Sequence, residues 1–180
     1  IDSKPAKLLF NRICVEEMKK YLLAGAFRRS YGGQILVVEP YVSPCYQCFC
    51  MNLPEQSNDV EISSDEQAEL VAYTDRPVVA EPGLSTDIAP ISTMVVKLAL
   101  QELLKGTKTT LRSLDDDLVA PWFLWLNRRE RGTQYENLEP LGFNIGGMHI
   151  LRWYGIDFKR DPNCPVCGNF EEYLIKQAGI

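Results

Sequence analysis

The sequence is short of several features that mark common protein classes. His149 is its single histidine, and no Ser-His-Asp or Cys-His arrangement can be argued from its position. No apolar run approaches the roughly 18 residues that span a bilayer, so we expect no membrane-spanning segment. The start, IDSKPAKLLF, lacks both the basic-then-apolar pattern of a signal peptide and an initiator methionine. We therefore expect a cytoplasmic chain that is a piece of a longer protein.

Positive charge is missing from one long stretch. There is no lysine or arginine between Arg29 and Arg76, whereas acidic residues recur there. The polar segment 52–77 within this stretch is interpreted as a long, flexible acidic loop, which is either simply solvated or a face for a basic partner. The whole chain has a net charge of −5, with 19 basic and 24 acidic residues, which argues against a nucleic-acid partner.

Phosphate-binding glycine motifs are also absent from the printed sequence. It contains neither G-x-G-x-x-G nor a Walker loop. The glycine pairs in YGGQ and IGGMH are not followed by a helical pattern, so we interpret them as turns. His149 lies in the apolar stretch GMHILRW, where a lone histidine is better explained as a satisfied structural residue than as a base.

What is present predicts one α/β domain over residues 1–180. The hydrophobic content of 46% is enough for a core. Helical spacing predicts a helix over 4–24 and a largely buried helix over 87–105 that Thr86 or Asp87 can cap. Strands are predicted around AFRRSYGGQILVVEP, and a second pair at PWFLWLNRR and GMHILRWYGID. We expect a mixed sheet of parallel and antiparallel pairs, flanked by these helices.

Four of the six cysteines form two C-x2-C pairs, each beside a proline. Zinc prefers four soft ligands in a tetrahedron, and two such pairs supply them. The pairs are separated by residues 49–163, so the metal would join two distant segments of one fold. We predict a structural zinc site whose ligands are Cys45, Cys48, Cys164 and Cys167. The alternative is that these cysteines are reduced core residues or form a disulfide.

Two cysteines remain outside this set. Cys14 lies in the apolar pattern of the first predicted helix and is assigned to the core. Cys50 follows the first pair and is a core thiol, an alternative ligand or a reactive thiol. A thiol without a nearby base or cation is poorly ionised at neutral pH, and the sequence offers Cys50 neither.

The order of these pieces resembles the C-terminal half of the ThiF/MoeB family, the fold of the ubiquitin-activating enzymes. The resemblance begins with Asp2 and Lys7, spaced as in the family, followed by LLFN. It continues with GGQILVVEPYVSPCYQC, with the Glu-x-Gly start of a long helix at EPGLSTDIAPISTMVVKLALQELLKG, and with CPVC. It covers residues 2–106 and 150–168 and implies the second half of a Rossmann-like activating-enzyme fold.

The resemblance implies an ATP-dependent adenylyltransferase. Such an enzyme uses Mg-ATP to activate the C-terminal carboxylate of a ubiquitin-like or sulfur-carrier protein, and Asp2 matches the family's magnesium-associated aspartate. The family often dimerises through its core helices, and the apolar circumference of the helix 87–105 is compatible with a homodimer and equally with burial within one chain. Some members have a catalytic cysteine where this chain has Val79, so Cys50 is the one spare thiol for a thioester step.

A non-catalytic function is the alternative. A chain without the nucleotide loop and without the usual cysteine can serve as a zinc-pinned scaffold, or as the partner-binding subunit of a two-chain enzyme. The sequence upstream of Ile1 distinguishes these possibilities, because a nucleotide-binding glycine loop there would support the enzyme.

Overall fold

A computed structural model describes residues 4–52, 83–108, 118–141 and 147–169, together with residues 171 and 174. These residues fall into two compact units. The first unit lies within Ile1–Leu23, Leu36–Val79 and Phe158–Ile180, and the second within Ala24–Ile35 and Ala80–Asp157. The single domain expected from the length of the chain stays a prediction.

Helices and a four-stranded sheet make up the described structure, which confirms the α/β class. The strands are ordered β1-β2-β3-β4, and β3 pairs antiparallel with β4 so that Trp125 lies opposite Trp153. This pairing confirms the second predicted strand pair, while the mixture of parallel and antiparallel strands stays a prediction. The elements are α1 (Lys4–Glu16), β1 (Tyr21–Ala26), a 3-10 turn (Arg28–Ser30), β2 (Gly32–Val38), α2 (Tyr46–Asn52), α3 (Ser85–Leu104), β3 (Trp122–Leu126) and β4 (Arg152–Ile156).

The helix predicted over 4–24 is too long by about two turns, because α1 ends at Glu16 and a strand begins at Tyr21. A Schellman motif ends the helix: the amide of Lys19 donates to the carbonyl of Cys14, and that of Met18 donates to Val15. Met18 has the left-handed φ of 53° that this motif requires. Glycine usually occupies this position, so a methionine there gives no sign in the sequence that the helix ends.

The glycine pair Gly32-Gly33 was predicted as a turn, but it begins strand β2. The turn lies earlier, at Arg28–Ser30, where Arg29 and Ser30 both have a φ of 52°. Glycine is needed in the strand for packing. A Cβ on Gly32 would overlap the carbonyl oxygen of Trp125, and one on Gly33 would overlap the side chain of Ile91.

The first unit packs α1 against α2. Aromatic rings join these helices to other parts of the unit: Phe10 of α1 meets Tyr21 of β1 edge-on with their centroids 5.4 Å apart, and Phe49 of α2 lies between Tyr46 and Phe158. The buried apolar residues of this unit outside the cysteine pairs are Cys14, Val15, Tyr21, Leu23, Leu36, Val38, Tyr46 and Phe49.

The second unit contains α3, whose position agrees with the predicted 87–105 but whose burial does not. Only Ile91 and Leu98 are buried, whereas Val96 and Leu103 are 58% and 76% exposed within the described structure. A single face of α3 therefore packs within its unit. No side chain caps the helix, which begins after Leu84, so the predicted capping by Thr86 or Asp87 is wrong. Among the described helices, none combines the length and apolar content needed to span a membrane.

Candidate metal centre

The first C-x2-C pair lies at the start of helix α2, after a tight turn. The hydroxyl of Ser43 accepts a 2.8 Å hydrogen bond from the amide of Glu39, and the amide of Ser43 donates to the carbonyl of Glu39 at 2.9 Å. Pro44 then leads into Cys45, whose carbonyl accepts from the amide of Phe49 at 3.0 Å. Because the pair spans the first turn of a helix, both sulfur atoms lie on one side of it.

The second pair lies in a compact loop after residue 160. The amide of Cys164 donates to Asp161 at 3.1 Å, and the amide of Gly168 donates back to the carbonyl of Cys164 at 2.8 Å. Only glycine fits at position 168, because a Cβ there would lie 2.5 Å from the carbonyl oxygen of Cys164 and would overlap that of Pro162. This glycine lets the loop close around its two cysteines.

The structure brings the two pairs together within the first unit. All four sulfur atoms lie within 4.8 Å of one another, and all four residues are buried. The measured Sγ–Sγ distances are 3.9 Å for Cys45 and Cys48, 3.7 Å for Cys45 and Cys164, and 3.3 Å for Cys48 and Cys167. A tetrahedral zinc ion with Zn–S bonds of about 2.3 Å requires sulfur atoms roughly 3.8 Å apart. The predicted ligand set therefore has the spacing that a metal ion needs.

The alternative of a disulfide does not hold for these residues. None of the six cysteines forms a disulfide, and the closest of the measured sulfur pairs is 3.3 Å apart, far beyond a disulfide bond of about 2.05 Å. Four buried thiols that face one another are an unusual way to fill a core. Their soft sulfur ligands at this spacing match a d10 metal ion such as zinc. The four cysteines can hold a metal ion.

The electrostatics of the cluster also favour a cation. Hydrogen bonds from Cys167 and Cys45 lower the pKa of Cys48, whereas the pKa of Cys167 is raised because its thiol donates to Cys45 and Cys48. One thiolate is thus stabilised by its neighbours, and each further ionisation meets a like charge in a buried place. A divalent cation removes that penalty and allows all four thiols to ionise.

Side chains outside the cluster hold the first pair. Asn11 of α1 is fully buried, and its Oδ1 accepts from the backbone amide of Tyr46 at 2.9 Å and from the hydroxyl of Tyr21 at 2.5 Å. Burial raises the pKa of Tyr21, so its hydroxyl stays protonated and available as a donor. Tyr46 directly follows Cys45, so Asn11 fixes the backbone at a ligand. Sequence reasoning missed this residue, since an asparagine inside a helical pattern carries no metal signal.

An arginine holds the second pair in a similar way. One terminal nitrogen of Arg160 donates to the carbonyl oxygens of Cys167 and Gly168, at 2.6 Å and 3.2 Å. Groups of this kind, which bond to the backbone around a ligand, orient the ligands of a metal site and tune its affinity. The guanidinium also places positive charge beside a cluster that becomes negative when it binds zinc.

The other residues considered from the sequence take different positions. Cys50 lies on α2 and is half-buried, and it is not a member of the cluster formed by the described residues. Cys14 is buried in the core of the first unit, and burial raises its pKa. Asp2, Val79 and nearly all of the segment 52–77 lie outside the residues that the structure describes.

His149 is buried, and its polar groups are engaged within the second unit. Its Nδ1 lies 3.1 Å from the carbonyl oxygen of Pro140, and its backbone amide donates to the hydroxyl of Tyr154. The residue precedes β4 and forms an isolated bridge with Glu139. These contacts fit the structural interpretation of this histidine.

Comparison with protein families gives a match over most of the chain. The model described as "ThiF family" matches residues 1–121, a span that includes α1, the first cysteine pair and helix α3. The second cysteine pair lies beyond this span. The comparison with curated proteins gives no match.

Solved structures of low sequence identity also resemble the chain. The structure of the heterocyclase TruD has a TM-score of 0.47 and 18% identity, and it covers 98% of this chain and 22% of that one. Escherichia coli MccB with succinimide has a TM-score of 0.43 and 16% identity, and covers 93% of this chain and 37% of that one. E. coli MccB with MccA-N7isoASN has a TM-score of 0.43 and 16% identity, and the match covers 92% of this chain and 39% of that one. The chain thus spans less than two fifths of the length of each of these proteins.

Proposed function

Because this chain belongs to the ThiF family, we propose that it forms the zinc-bearing part of an ATP-dependent adenylyltransferase. The substrate is the C-terminal carboxylate of a ubiquitin-like or sulfur-carrier protein. The observation that supports this proposal is the cluster of four buried thiols, in which Cys45 and Cys164 meet although they are 119 residues apart in the chain. A metal site of this kind would hold together two segments of one domain that are far apart in the sequence.

The metal in this proposal is zinc, and its function is structural. Four thiolates fill the tetrahedral coordination of zinc and leave no open position for water or substrate. The ion would therefore supply folding energy and rigidity rather than Lewis-acid chemistry. A cytoplasmic location suits such a centre, because thiols there stay reduced and available to the metal.

The nucleotide chemistry rests on magnesium-bound ATP, with Asp2 as the residue of this chain that holds the metal. A carboxylate is the ligand type that magnesium prefers. When bound, Mg-ATP supplies the adenylyl group that activates the carrier's carboxylate, with pyrophosphate as the leaving group. The printed sequence contains no glycine-rich phosphate loop. We therefore propose that these 180 residues alone are inactive and need a separate nucleotide-binding half, with which they complete a mixed parallel and antiparallel sheet.

The carrier protein is the proposed partner, with the acidic segment 52–77 as its contact on this chain. A second copy of the chain is a further proposed partner. The exposed apolar residues of α3, Val96, Leu100 and Leu103, are compatible with a homodimer.

One observation favours a different function. Val79 stands at the position where some relatives have the catalytic cysteine. A family member of this kind can bind a partner as a zinc-pinned scaffold without adenylating it. Cys50 is the remaining thiol for a thioester step, and it lies half-buried on α2.

Exchange of labelled pyrophosphate into ATP tests the proposal, on the protein in its full natural length and with a candidate carrier. We expect carrier-dependent exchange that Asp2→Asn reduces at least about a hundredfold, since removing a metal-bound carboxylate removes transition-state charge stabilisation. Asp157→Asn, which changes an exposed carboxylate of the same charge, should leave exchange unchanged. Normal exchange by the Asp2→Asn variant would refute the role of Asp2. No exchange by the unaltered protein, together with tight carrier binding, would support the scaffold.

A further inference from the structure

Arginines are concentrated on one surface of the second unit, although the chain as a whole is acidic. The segment 127–131 reads Asn-Arg-Arg-Glu-Arg, and the turn between β1 and β2 adds Arg29. Arg29 donates to Oε1 of Glu130 at 3.2 Å, which brings the two segments together. We define the arginine surface as the three exposed residues of this group, Arg29, Arg129 and Arg131.

The inner side of the segment 127–131 is fixed by hydrogen bonds. The side-chain amide of Asn127 donates to the carbonyl oxygens of Ser30 and Asp87, at 2.7 Å and 2.9 Å. Arg128 donates to the carbonyl oxygen of Arg29 at 2.6 Å and pairs with the carboxylate of Asp87 at 3.2 Å. The backbone of the segment is therefore held in place before any partner binds.

The outer side of the same segment is unengaged. Exposure alternates along it: Arg128 and Glu130 are partly buried, whereas Arg129 and Arg131 are exposed. Neither Arg129 nor Arg131 has an ion pair with another of the described residues. The side chain of Arg29 is itself 59% exposed.

The charge of this group is positive after its internal pairs are counted. Four guanidinium groups, on Arg29, Arg128, Arg129 and Arg131, lie near three carboxylates, on Asp87, Glu130 and Glu136, which leaves an excess of one positive charge. The carboxylate of Glu136 accepts from the amide of Gly132 beside Arg131 at 2.9 Å. An excess of one is small for nucleic acid, whose binding draws on many phosphate contacts and is opposed by the net charge of −5. It is compatible with an acidic peptide, since each exposed guanidinium can bind one carboxylate in the paired geometry that arginine favours.

We propose that the arginine surface is a docking site for an acidic segment of a partner protein, in which carboxylates pair with Arg129 and Arg131 and reach Arg29. The inner hydrogen bonds hold the backbone that carries these side chains, so less of the segment has to be ordered when the partner binds. This inference goes beyond the adenylation chemistry. The docking needs neither ATP nor a metal ion, so each proposal can fail without the other.

Fluorescence anisotropy with a labelled oligoglutamate peptide tests the docking site, with an oligoglutamine peptide and a single-stranded oligonucleotide of equal length as comparison probes. We expect the full chain to bind oligoglutamate at near-physiological salt, and Arg129→Glu with Arg131→Glu to weaken binding at least about tenfold. The matched control is Lys97→Glu with Lys108→Glu, which makes the same charge change at two exposed residues of the same unit. This control should bind within about twofold of the unaltered chain.

Three results would overturn the proposal. These are no binding of oligoglutamate, an equal loss in the lysine control, or tighter binding of the oligonucleotide, which would assign the surface to phosphate groups. Both arginine substitutions are at exposed residues without ion pairs in the described structure, so circular dichroism should show an unchanged fold. If the double variant did not fold, the single variant Arg131→Glu should still weaken binding severalfold.

Discussion

The Oδ1 atom of Asn11 accepts a 2.9 Å hydrogen bond from the backbone amide of Tyr46, the residue directly after Cys45. This bond joins helix α1 to the first cysteine pair inside the first unit. Asn11 is fully buried, so its carbonyl group has no water to replace a lost partner. The position of a metal ligand thus depends on a side chain that does not touch the metal.

Replacing Asn11 by leucine should weaken metal binding. The change keeps the number and branching of side-chain heavy atoms but leaves the amide of Tyr46 with only its 3.4 Å contact to the hydroxyl of Tyr21. Loss of a good acceptor by a buried amide costs about 1–3 kcal/mol. Loss of a group that orients ligands lowers metal affinity roughly 10–100-fold. Competition with a chromophoric zinc chelator measures this affinity, and the absorption bands of a cobalt-substituted sample report distortion of the ligand geometry.

Val15→Ala is the matched control for this substitution. Val15 is also fully buried on α1, but its apolar side chain can form no hydrogen bond to the cysteine pairs. Its truncation should cost roughly 2 kcal/mol of folding free energy and leave the cobalt spectrum unchanged. If both variants lost metal affinity equally, Asn11 would be acting through stability alone.

Loss of one cysteine of the cluster should remove the metal. We expect about one zinc ion per chain in the unaltered protein and almost none after Cys164→Ser, because three thiolates and a hydroxyl bind zinc far more weakly. Metal analysis by mass spectrometry and thiol titration on the same sample measure both quantities. Cys50→Ser, at a half-buried residue outside the cluster, should keep the zinc and lose one titratable thiol. Zinc loss from the Cys50 variant would show that the ligand set is wrong.

The metal centre was the part of the structure that sequence could predict best. Two C-x2-C pairs are recognisable because chemistry fixes both the residue type and the spacing. The proximity of the two pairs in space could be predicted although residues 49–163 separate them in the sequence, because a metal ion brings its ligands together. The groups that hold the ligands, Asn11 and Arg160, could not be predicted. They act through backbone contacts that depend on the tertiary fold.

Local structure was predicted unevenly for physical reasons. Helix α3 was located within two residues of its start, because its apolar content is strong and Gly106 ends the pattern. The end of α1 was missed, since the left-handed residue that ends it is Met18 and not glycine. The burial of α3 was overestimated because apolar residues around a helix show how much of it can be covered, not what covers it.

Gly168→Ala should open the second cysteine pair. The added Cβ would lie 2.5 Å from the carbonyl oxygen of Cys164 and would overlap that of Pro162, so the backbone around the ligand must move. Moving a ligand by a few tenths of an ångström disturbs the tetrahedral geometry, and we expect zinc affinity to fall at least about tenfold. Isothermal titration of the metal-free protein with zinc, under reducing conditions, measures the affinity.

Gly106→Ala is the control for that substitution. Gly106 has a φ of +73° and open space around its Cβ position, so alanine there costs roughly 1–2 kcal/mol from backbone strain alone. Zinc affinity should not change, because the residue lies in the other unit, after α3. An unchanged affinity in the Gly168 variant would mean that the loop tolerates a shifted backbone, contrary to this prediction.

Gly32→Ala should destabilise the sheet of the second unit. Its Cβ would overlap the carbonyl oxygen of Trp125, a backbone atom that cannot rotate away. Overpacking of this kind costs about 1–3 kcal/mol. Gly155→Ala is the matched change on β4, where the Cβ would lie 3.0 Å from the methyl group of Ala120 and a small shift relieves the contact.

Urea unfolding followed by tryptophan fluorescence reports on this unit, which contains Trp122, Trp125 and Trp153. The Gly32 variant should unfold at a lower urea concentration than the Gly155 variant with an unchanged slope, because both expose the same surface on unfolding. Equal midpoints for the two variants would show that β2 and β3 can separate locally at no cost, and the close approach at Gly32 would then not be needed for stability.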